Sequence, residues 1–146
     1  MRRIGNRALW IGPALNAAGL RMVHEQGIEA LVDLAINEPV LQLTRELIYC
    51  RFPLVDGAGN RPESLRIAVE TTADLIRSGT PTLVFWSGGM SRSPAIAAAA
   101  LSVATGASLA DCLAEVVAAG PKDLSPALWK DIGEVLGGMS GQAASR

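Results

Sequence analysis

The residues best suited to chemistry in this sequence lie together in one segment, SGGMSRS, at positions 87–93. Gly88 and Gly89 allow the backbone to curl so that successive N–H groups point inward, a geometry that holds phosphate and other oxyanions. Arg92 adds a permanently charged guanidinium that can donate two hydrogen bonds to such an anion. A helix predicted to begin near Ser93 adds its positive N-terminal end. The segment therefore predicts an anion-binding loop.

Other interpretations of this loop are weaker. It lacks the lysine of the nucleotide-binding pattern G-x-x-x-x-G-K-[ST], and it does not have the spacing G-x-G-x-x-G of dinucleotide-binding loops. A lone glycine pair would favour an ordinary tight turn beside a solvated arginine. The glycines, the serines, Arg92 and the apolar strand before them together favour the anion site.

The elements that must position the loop alternate between strands and helices. Residues 82–86, TLVFW, form the most apolar predicted strand, which suits a central strand buried on both faces. We also predict strands at 8–12, 29–35 and 47–53, and helices that start at Asn16, span 65–76, start at Ser93, start at Ser108 and span 126–136.

This alternation predicts a single-domain α/β fold with a central, mainly parallel sheet flanked by helices. The domain is expected to cover residues 1–138, with a flexible tail at 139–146. Ligands of such sheets bind at the carboxyl ends of the strands, where the loop 87–92 lies. Asp33 and Asn37 follow another predicted strand and are candidates for the rim of the site.

Composition limits the partners of the protein. The chain has 146 residues, of which 49% are hydrophobic, and a net charge of -1. This is enough apolar material for one core, and the charge provides no general attraction to nucleic acid or to an anionic membrane. An anion site must therefore be built locally. No apolar stretch is long enough to predict a membrane span.

Two further features bear on the compartment. Cys50 and Cys112 show no spacing typical of a disulfide framework or a zinc site, which indicates a reducing cytoplasm. The start of the chain combines Arg2 and Arg3 with an apolar run, as signal peptides do. Because Gly12 and Pro13 interrupt that run, we expect a buried strand there instead.

The loop also resembles the signature of a known enzyme family. SGGMSRSPAIAAAAL is similar to the phosphate loop H-C-x-x-G-x-x-R-[ST] of the cysteine-dependent protein tyrosine phosphatases, in particular the dual-specificity phosphatases. The similarity covers nearly the whole chain, through LWIGPAL, GIEALVDLA, YCRFPLVD and LSPALWKDI. It implies the fold of that family and hydrolysis of a phosphomonoester, such as a phosphoprotein, through a cysteinyl-phosphate without a metal or other cofactor.

The resemblance also assigns roles to individual residues. Asp56, which lies 30 residues before position 86, matches the general acid, although an aspartate before glycine is also common in exposed turns. Ser93 matches the hydroxyl that assists the second step, and could equally cap the helix. The phosphate-binding positions are Ser87, Gly88, Gly89, Met90, Ser91 and Arg92.

One position departs decisively from the family pattern. The nucleophilic cysteine would stand at position 86, where this chain has Trp86, and the preceding histidine is replaced by Phe85. An indole has no lone pair available for attack on phosphorus and carries only a donor N–H. Neither Ser87 nor either cysteine is placed to substitute for the missing nucleophile. We therefore expect the chain as written to be inactive.

Several interpretations of this departure remain open. The protein may be read as a pseudophosphatase that binds a partner or a phosphorylated ligand. It may also belong to an active lineage in which Trp86 is a recent, engineered or erroneous replacement, or be an unrelated α/β anion-binding module. We expect the indole of Trp86 to cap the loop and Arg92 to turn to a carboxylate or carbonyl. A monomer is expected.

Overall fold

Five strands form one sheet in the computed structural model. The structure describes residues 1–13, 17–36, 39–43, 46–86, 92–118 and 124–144. Within these ranges, the side chains of residues 17, 18, 86 and 140–144 are not described. The strands are β1 (Arg2–Arg3), β2 (Leu9–Pro13), β3 (Ala30–Asp33), β4 (Ile48–Arg51) and β5 (Thr82–Trp86). Their order across the sheet is β1-β2-β5-β3-β4. Among these strands, β1 and β2 pair antiparallel and the other neighbours pair parallel.

The helices connect and cover these strands. They are α1 (Ala17–Glu25), α2 (Pro62–Arg77), α3 (Arg92–Thr105), α4 (Leu109–Val117) and α5 (Pro126–Ala144). Their alternation with the strands confirms the predicted α/β fold with a mainly parallel sheet. None of the helices in the described part of the chain is long and apolar enough to cross a membrane.

The central strand is β5, as its sequence predicts. It pairs with β2 on one side and β3 on the other, so that Leu83 lies opposite both Trp10 and Leu31. The residues from Thr82 to Phe85 are buried. Because backbone and side chains of this strand are enclosed together, an almost continuous apolar sequence is what the position requires.

The two faces of the sheet carry separate apolar clusters. On one face Leu83 and Phe85 pack with Trp10 and with Val23 of α1. On the other face Val84 belongs to the larger cluster, to which helices α2 to α5 contribute. Alternate residues of β5 therefore anchor opposite layers, as the period of two in a strand demands.

Among the described helices, α3 has the longest run of buried residues. Every residue from Arg92 to Leu101 is buried, including the run of small side chains at 97–100. Helix α3 contacts α2, α4, α5 and β5. Alanine has the highest helix propensity and the smallest side chain that supports a helix, so this sequence permits close packing on all sides.

The helix boundaries agree with the sequence in part. Ser108 caps α4, since its Oγ accepts a hydrogen bond from the backbone N–H of Asp111 at 3.1 Å, as predicted. Helix α3 begins at Arg92, before the predicted start at Ser93. The prediction that the last helix ends at Leu136 is wrong, because α5 continues to Ala144. Flexibility of residues 139–146 stays a prediction.

The strand boundaries also differ from the sequence predictions. Strand β1 is not indicated by the sequence, because two arginines carry no apolar alternation. Strands β3 and β4 are shorter than the predicted ranges 29–35 and 47–53. The residues that follow each of them keep some backbone hydrogen bonds beyond the strand ends. The predicted helix start at Asn16 lies outside the described residues.

The enclosure of α3 generates a stability prediction. Ala98→Leu should lower the free energy of unfolding by about 1–3 kcal/mol, because added methylenes in a filled core force neighbouring side chains apart. The matched control is Ala110→Leu on the exposed face of α4, which should stay within about 0.5 kcal/mol of the unaltered chain. Urea unfolding measures both. Equal effects of the two substitutions would contradict the close packing around α3.

Candidate active site

Arg92 is the residue around which the site is built. It is the first residue of α3, and although always charged it is only 7% exposed. Its Nη1 donates a hydrogen bond to the backbone carbonyl of Leu54, which agrees with the expectation that Arg92 turns to a carboxylate or carbonyl. This contact joins the start of α3 to the segment that follows β4.

The loop between β5 and α3 is the predicted phosphate-binding segment. The structure describes its two ends: the backbone of Trp86 pairs with Pro13 at the end of β5, and Arg92 opens α3. The side chain of Trp86 lies outside the described residues, and so do Ser87, Gly88, Gly89, Met90 and Ser91. The roles assigned to these residues, including capping by the indole, stay predictions.

A ladder of backbone hydrogen bonds carries the chain after β4 toward Arg92. The N–H of Phe52 donates to the carbonyl of Asp33 at 2.8 Å, and that of Leu54 donates to Leu34 at 3.3 Å. Leu34 in turn donates to the carbonyl of Phe85 at 2.9 Å. Pairing thus continues past the ends of the strands, and it leads Leu54 to the guanidinium.

Asp56 lies two residues beyond Leu54, in a turn held by Asn60. The N–H of Val55 donates to Asn60 Oδ1 at 2.7 Å, and Asn60 Nδ2 donates back to the Val55 carbonyl at 2.7 Å. Gly57 and Gly59 have φ of +141° and +105°, which L side chains rarely adopt. The carboxylate that matches the general acid is therefore exposed on a closed turn adjacent to the Arg92 contact.

Ser93 is buried behind Arg92. The residue is 3% exposed, and its Oγ makes no hydrogen bond with any residue that the structure describes. Because α3 begins at Arg92, Ser93 lies within the helix, and the alternative that it caps the helix is wrong. The part in the second step that the resemblance assigns to this hydroxyl stays a prediction.

A second polar cluster supports the edge of the site from β3 and β4. The buried Asp33 accepts a hydrogen bond from Tyr49 Oη at 2.5 Å and another from the N–H of Ala35 at 2.9 Å. Arg51 Nε lies 4.0 Å from Asp33 Oδ2 and donates to the carbonyl of Ala35 at 3.2 Å. Asp33 thus braces the backbone where β3 ends. Asn37, the other predicted rim residue, lies outside the described residues.

The surroundings of Tyr49 raise the pKa of its phenol. Desolvation is the largest cause that raises the pKa of Tyr49 above its ordinary value, and the hydrogen bond to Asp33 raises it further. Both effects favour the neutral phenol, which can donate to the carboxylate. The phenol hydroxyl also accepts the N–H of Leu41 at 3.3 Å.

The two cysteines lie on β4 and α4. Cys112 is buried in α4, and desolvation raises its pKa, so the unreactive thiol is favoured over the thiolate. Cys50 lies on β4, and both cysteines are free. Within the described residues, no group of three or more His, Cys, Asp or Glu side chains is arranged to hold a metal ion.

Sequence reasoning missed three contributors to this site. The Leu54 carbonyl is a backbone acceptor and carries no signal in the sequence. Tyr49 is predicted only as part of a strand, and the sequence does not indicate its polar partner. Asn60 carries no prediction, although an asparagine in a glycine-rich turn is a common source of side-chain to backbone hydrogen bonds.

Solved structures with the same architecture identify the fold. Human DUSP28 matches with a TM-score of 0.82 and 25% sequence identity, covering 96% of this chain and 98% of its own. This chain has the dual-specificity phosphatase fold. DUSP15 shares it with a TM-score of 0.72 and 22% identity over 92% of this chain and 85% of its own.

The same fold occurs in a protein that is named phosphatase-like rather than phosphatase. The human tyrosine phosphatase-like serine/threonine/tyrosine-interacting protein matches with a TM-score of 0.75 and 19% identity, covering 90% of this chain and 92% of its own. No protein-family model matches the sequence of this chain, and no curated protein matches it either. The expected fold of the dual-specificity phosphatases is therefore confirmed by structure.

Tyr49 gives this phosphatase fold a measurable signature, because it is the single tyrosine of the chain. Its phenolate absorbance, followed during an alkaline titration, should give a pKa above the ordinary value of about 10. Asp33→Asn should lower that pKa toward the ordinary value, because the charge and part of the hydrogen bonding are lost. Titration of the chain in denaturant provides the reference.

The sign of the linked stability follows from the same shift. Since the folded state holds the phenol proton more tightly than the unfolded state, this contribution is present below about pH 10 and is lost as pH rises through the folded pKa. Tyr49→Phe should remove this alkaline loss. An unshifted tyrosine titration in the folded chain would contradict the proposed contact.

Proposed function

We propose that this chain is a protein phosphatase of the dual-specificity type by lineage, and that as written it does not hydrolyse phosphomonoesters because Trp86 replaces the nucleophile. One observation carries the lineage proposal. Arg92 is buried at the start of α3 and bonded to the carbonyl of Leu54, two residues before Asp56. This contact supports the proposal because it fastens the start of α3 to the segment that carries Asp56.

The chemistry of the lineage needs each of these groups. A cysteine thiolate attacks phosphorus and forms a cysteinyl-phosphate, while the acid protonates the oxygen of the departing alcohol. The arginine holds two phosphate oxygens throughout. Water then cleaves the sulfur–phosphorus bond and releases phosphate. Asp56 and Arg92 match the acid and the arginine of these steps, and Ser93 matches the hydroxyl that assists the second step, so that the nucleophile is the one group without a match.

The retained residues generate a restoration experiment. Trp86→Cys should give phosphate release from an aryl phosphate, whereas the unaltered chain should give none. In the Trp86→Cys background, Asp56→Asn should slow the phosphorylation step by roughly 10²- to 10⁴-fold. Burst kinetics with the aryl alcohol as readout separate this step from hydrolysis of the intermediate.

The matched control is Trp86→Ser, which removes the indole but introduces no thiol. It should remain inactive, because an unactivated hydroxyl is a poor nucleophile. Turnover by the unaltered chain that disappears in Arg92→Lys would contradict the proposed inactivity. Restored activity insensitive to Asp56→Asn would show that another group is the acid.

A second candidate function is binding without catalysis. It is favoured by the buried hydroxyl of Ser93, which bonds no described residue, and by the occurrence of this fold in a phosphatase-like interacting protein. In this case the protein recognises a phosphorylated ligand or a partner protein. The two candidates differ in whether the loop accepts a phosphate while Trp86 is present.

Calorimetric titration with phenyl phosphate distinguishes them. If the indole fills the loop, the unaltered chain should not bind, and Trp86→Ala should bind in an Arg92-dependent manner. Adding Arg92→Lys should weaken that binding about tenfold, because the two-pronged guanidinium is lost while the charge is kept. Arg92-dependent binding by the unaltered chain would instead favour the phospholigand-binding function.

The charge and the cysteines of the chain bear on its ligand and its compartment. The net charge of -1 supports a ligand other than nucleic acid or an anionic membrane, with a phosphoprotein as the favoured class. Two free cysteines support a reducing compartment such as the cytoplasm. We expect a monomer.

A further inference from the structure

A groove between α2 and α5 lies outside the phosphate site and has no role in the chemistry above. Its volume is about 370 Å³, within the range of about 300–1,000 Å³ that ligand pockets occupy. Gly138 of α5 is one of its lining residues. A Cβ at Gly138 would meet no neighbouring heavy atom within 4 Å, so the space beside the helix is open.

The floor of this groove is apolar. Leu65 of α2 is only 1% exposed and forms its base, while Val135 and Met139 of α5 are partly buried along one wall. Such a floor can take an aliphatic side chain and remove it from water. Burial of its methylenes is favourable and non-directional, which makes the floor the source of affinity rather than of specificity.

The rim of the groove is acidic. Glu63 approaches it from the first turn of α2, and Asp131 and Glu134 approach it from α5. Glu63 has a weak partner in Arg61, whose Nε lies 3.8 Å from its carboxylate. Asp131 and Glu134 form no ion pair with any described residue. Because the whole chain carries a net charge of only -1, this local excess is not a general property of the surface.

The one arginine in the lining does not neutralise the rim. Arg66 is engaged by Glu70, one turn further along α2, with Nη1 3.1 Å from the carboxylate. A metal ion is not the occupant that the geometry favours, since the described residues contain no cluster of three acids able to hold one. The combination of apolar floor and acidic rim instead fits a basic peptide with an aliphatic anchor.

We propose that the α2–α5 groove binds a segment of a partner protein in which Lys or Arg residues flank an aliphatic side chain. The aliphatic side chain enters over Leu65, and the cations lie against Asp131 and Glu134. Apolar centres with a charged rim are the usual anatomy of protein recognition sites. The proposal does not depend on position 86, because no groove residue belongs to the loop 87–92.

The groove also adjoins the turn that carries Asp56. Asn60, whose amide clamps Val55 and Gly57, is one of the lining residues. A peptide seated in the groove would therefore contact the residue that holds the acid-bearing turn closed. This places the docked segment beside the candidate active site, as expected of a surface that presents a bound protein to it.

The test begins with selection of random displayed peptides on the intact chain. Selected sequences are expected to carry Lys or Arg on either side of Leu, Ile, Val or Met, and their affinities are then measured by fluorescence anisotropy. Gly138→Leu, which fills the groove, should weaken binding by at least about tenfold. Leucine has a higher helix propensity than glycine, so this substitution should not unfold α5.

A second test variant, Glu134→Lys, is added, and each of the two test variants has a matched control. Gly137→Leu makes the same change one position earlier on α5, where the glycine lines a different cavity, and it should leave affinity unchanged. Glu134→Lys should weaken binding about tenfold. Glu25→Lys, an equal change in charge at an exposed position of α1, should have little effect. Circular dichroism confirms that all four variants are folded.

Several results would overturn the proposal. They are selection of no peptide, selection of acidic or uncharged peptides, and binding that Gly138→Leu and Gly137→Leu affect equally. Light scattering tests whether a second copy of this chain occupies the groove. If the chain dimerises and Gly138→Leu dissociates the dimer, a second copy fills the groove instead of a partner peptide. Because these assays do not read phosphate chemistry, they can fail or succeed independently of the restoration experiment at position 86.

Discussion

A permanently charged side chain buried at the start of a helix constrains the arrangement of everything around it. Removal of a guanidinium from water costs several kcal/mol unless polar groups replace the lost hydration. Part of that replacement for Arg92 is the carbonyl of Leu54, which is itself positioned by backbone pairing to Leu34. Since Leu34 bonds Phe85, the contact links α3, the segment after β4, β3 and the central strand in one closed circuit.

Phe85 and Trp86 are the two aromatic residues that end β5. Phe85 is buried in the cluster with Trp10 and Val23, so its side chain contributes to the core rather than to a site. An aromatic side chain at position 85 is therefore explained by the packing of the sheet. Trp86 follows as the last residue of the strand, at the position where the proposed phosphatase lineage would need a thiolate. Of these two residues, it is Trp86 that the proposed function concerns.

The sequence was sufficient for those elements whose signals are local. Residues 82–86 form the central strand because their apolar run has only one stable environment, and Ser108 caps α4 because a hydroxyl three residues before Asp111 reaches a free N–H. Strand β1 escaped prediction because its two arginines show no apolar alternation, although its partner β2 is the next element along the chain. Helix α5 continues beyond Gly137 and Gly138. The packing of Val135 and Leu136 against the core offsets the low helix propensity of the two glycines.

The site was less predictable than the fold for a similar reason. Arg92, Asp56 and Ser93 could be selected as side chains with known chemistry, but the groups that hold them are backbone atoms and an amide. The Leu54 carbonyl and the Asn60 clamp become visible only when segments far apart in sequence are placed side by side. Local patterns name the reactive groups, and tertiary pairing determines what restrains them.

The short strand β1 has a consequence for the behaviour of the chain in crowded solution. It covers the outer side of β2 with two arginines, and the Arg3 guanidinium lies 5.2 Å above the ring of Trp10. At the opposite side of the sheet, β4 is four residues long and ends in Arg51. Brief, cationic border strands are poor templates for a strand of another molecule. The sheet is thereby protected against edge-to-edge aggregation, although its central strand is among the most apolar parts of the sequence.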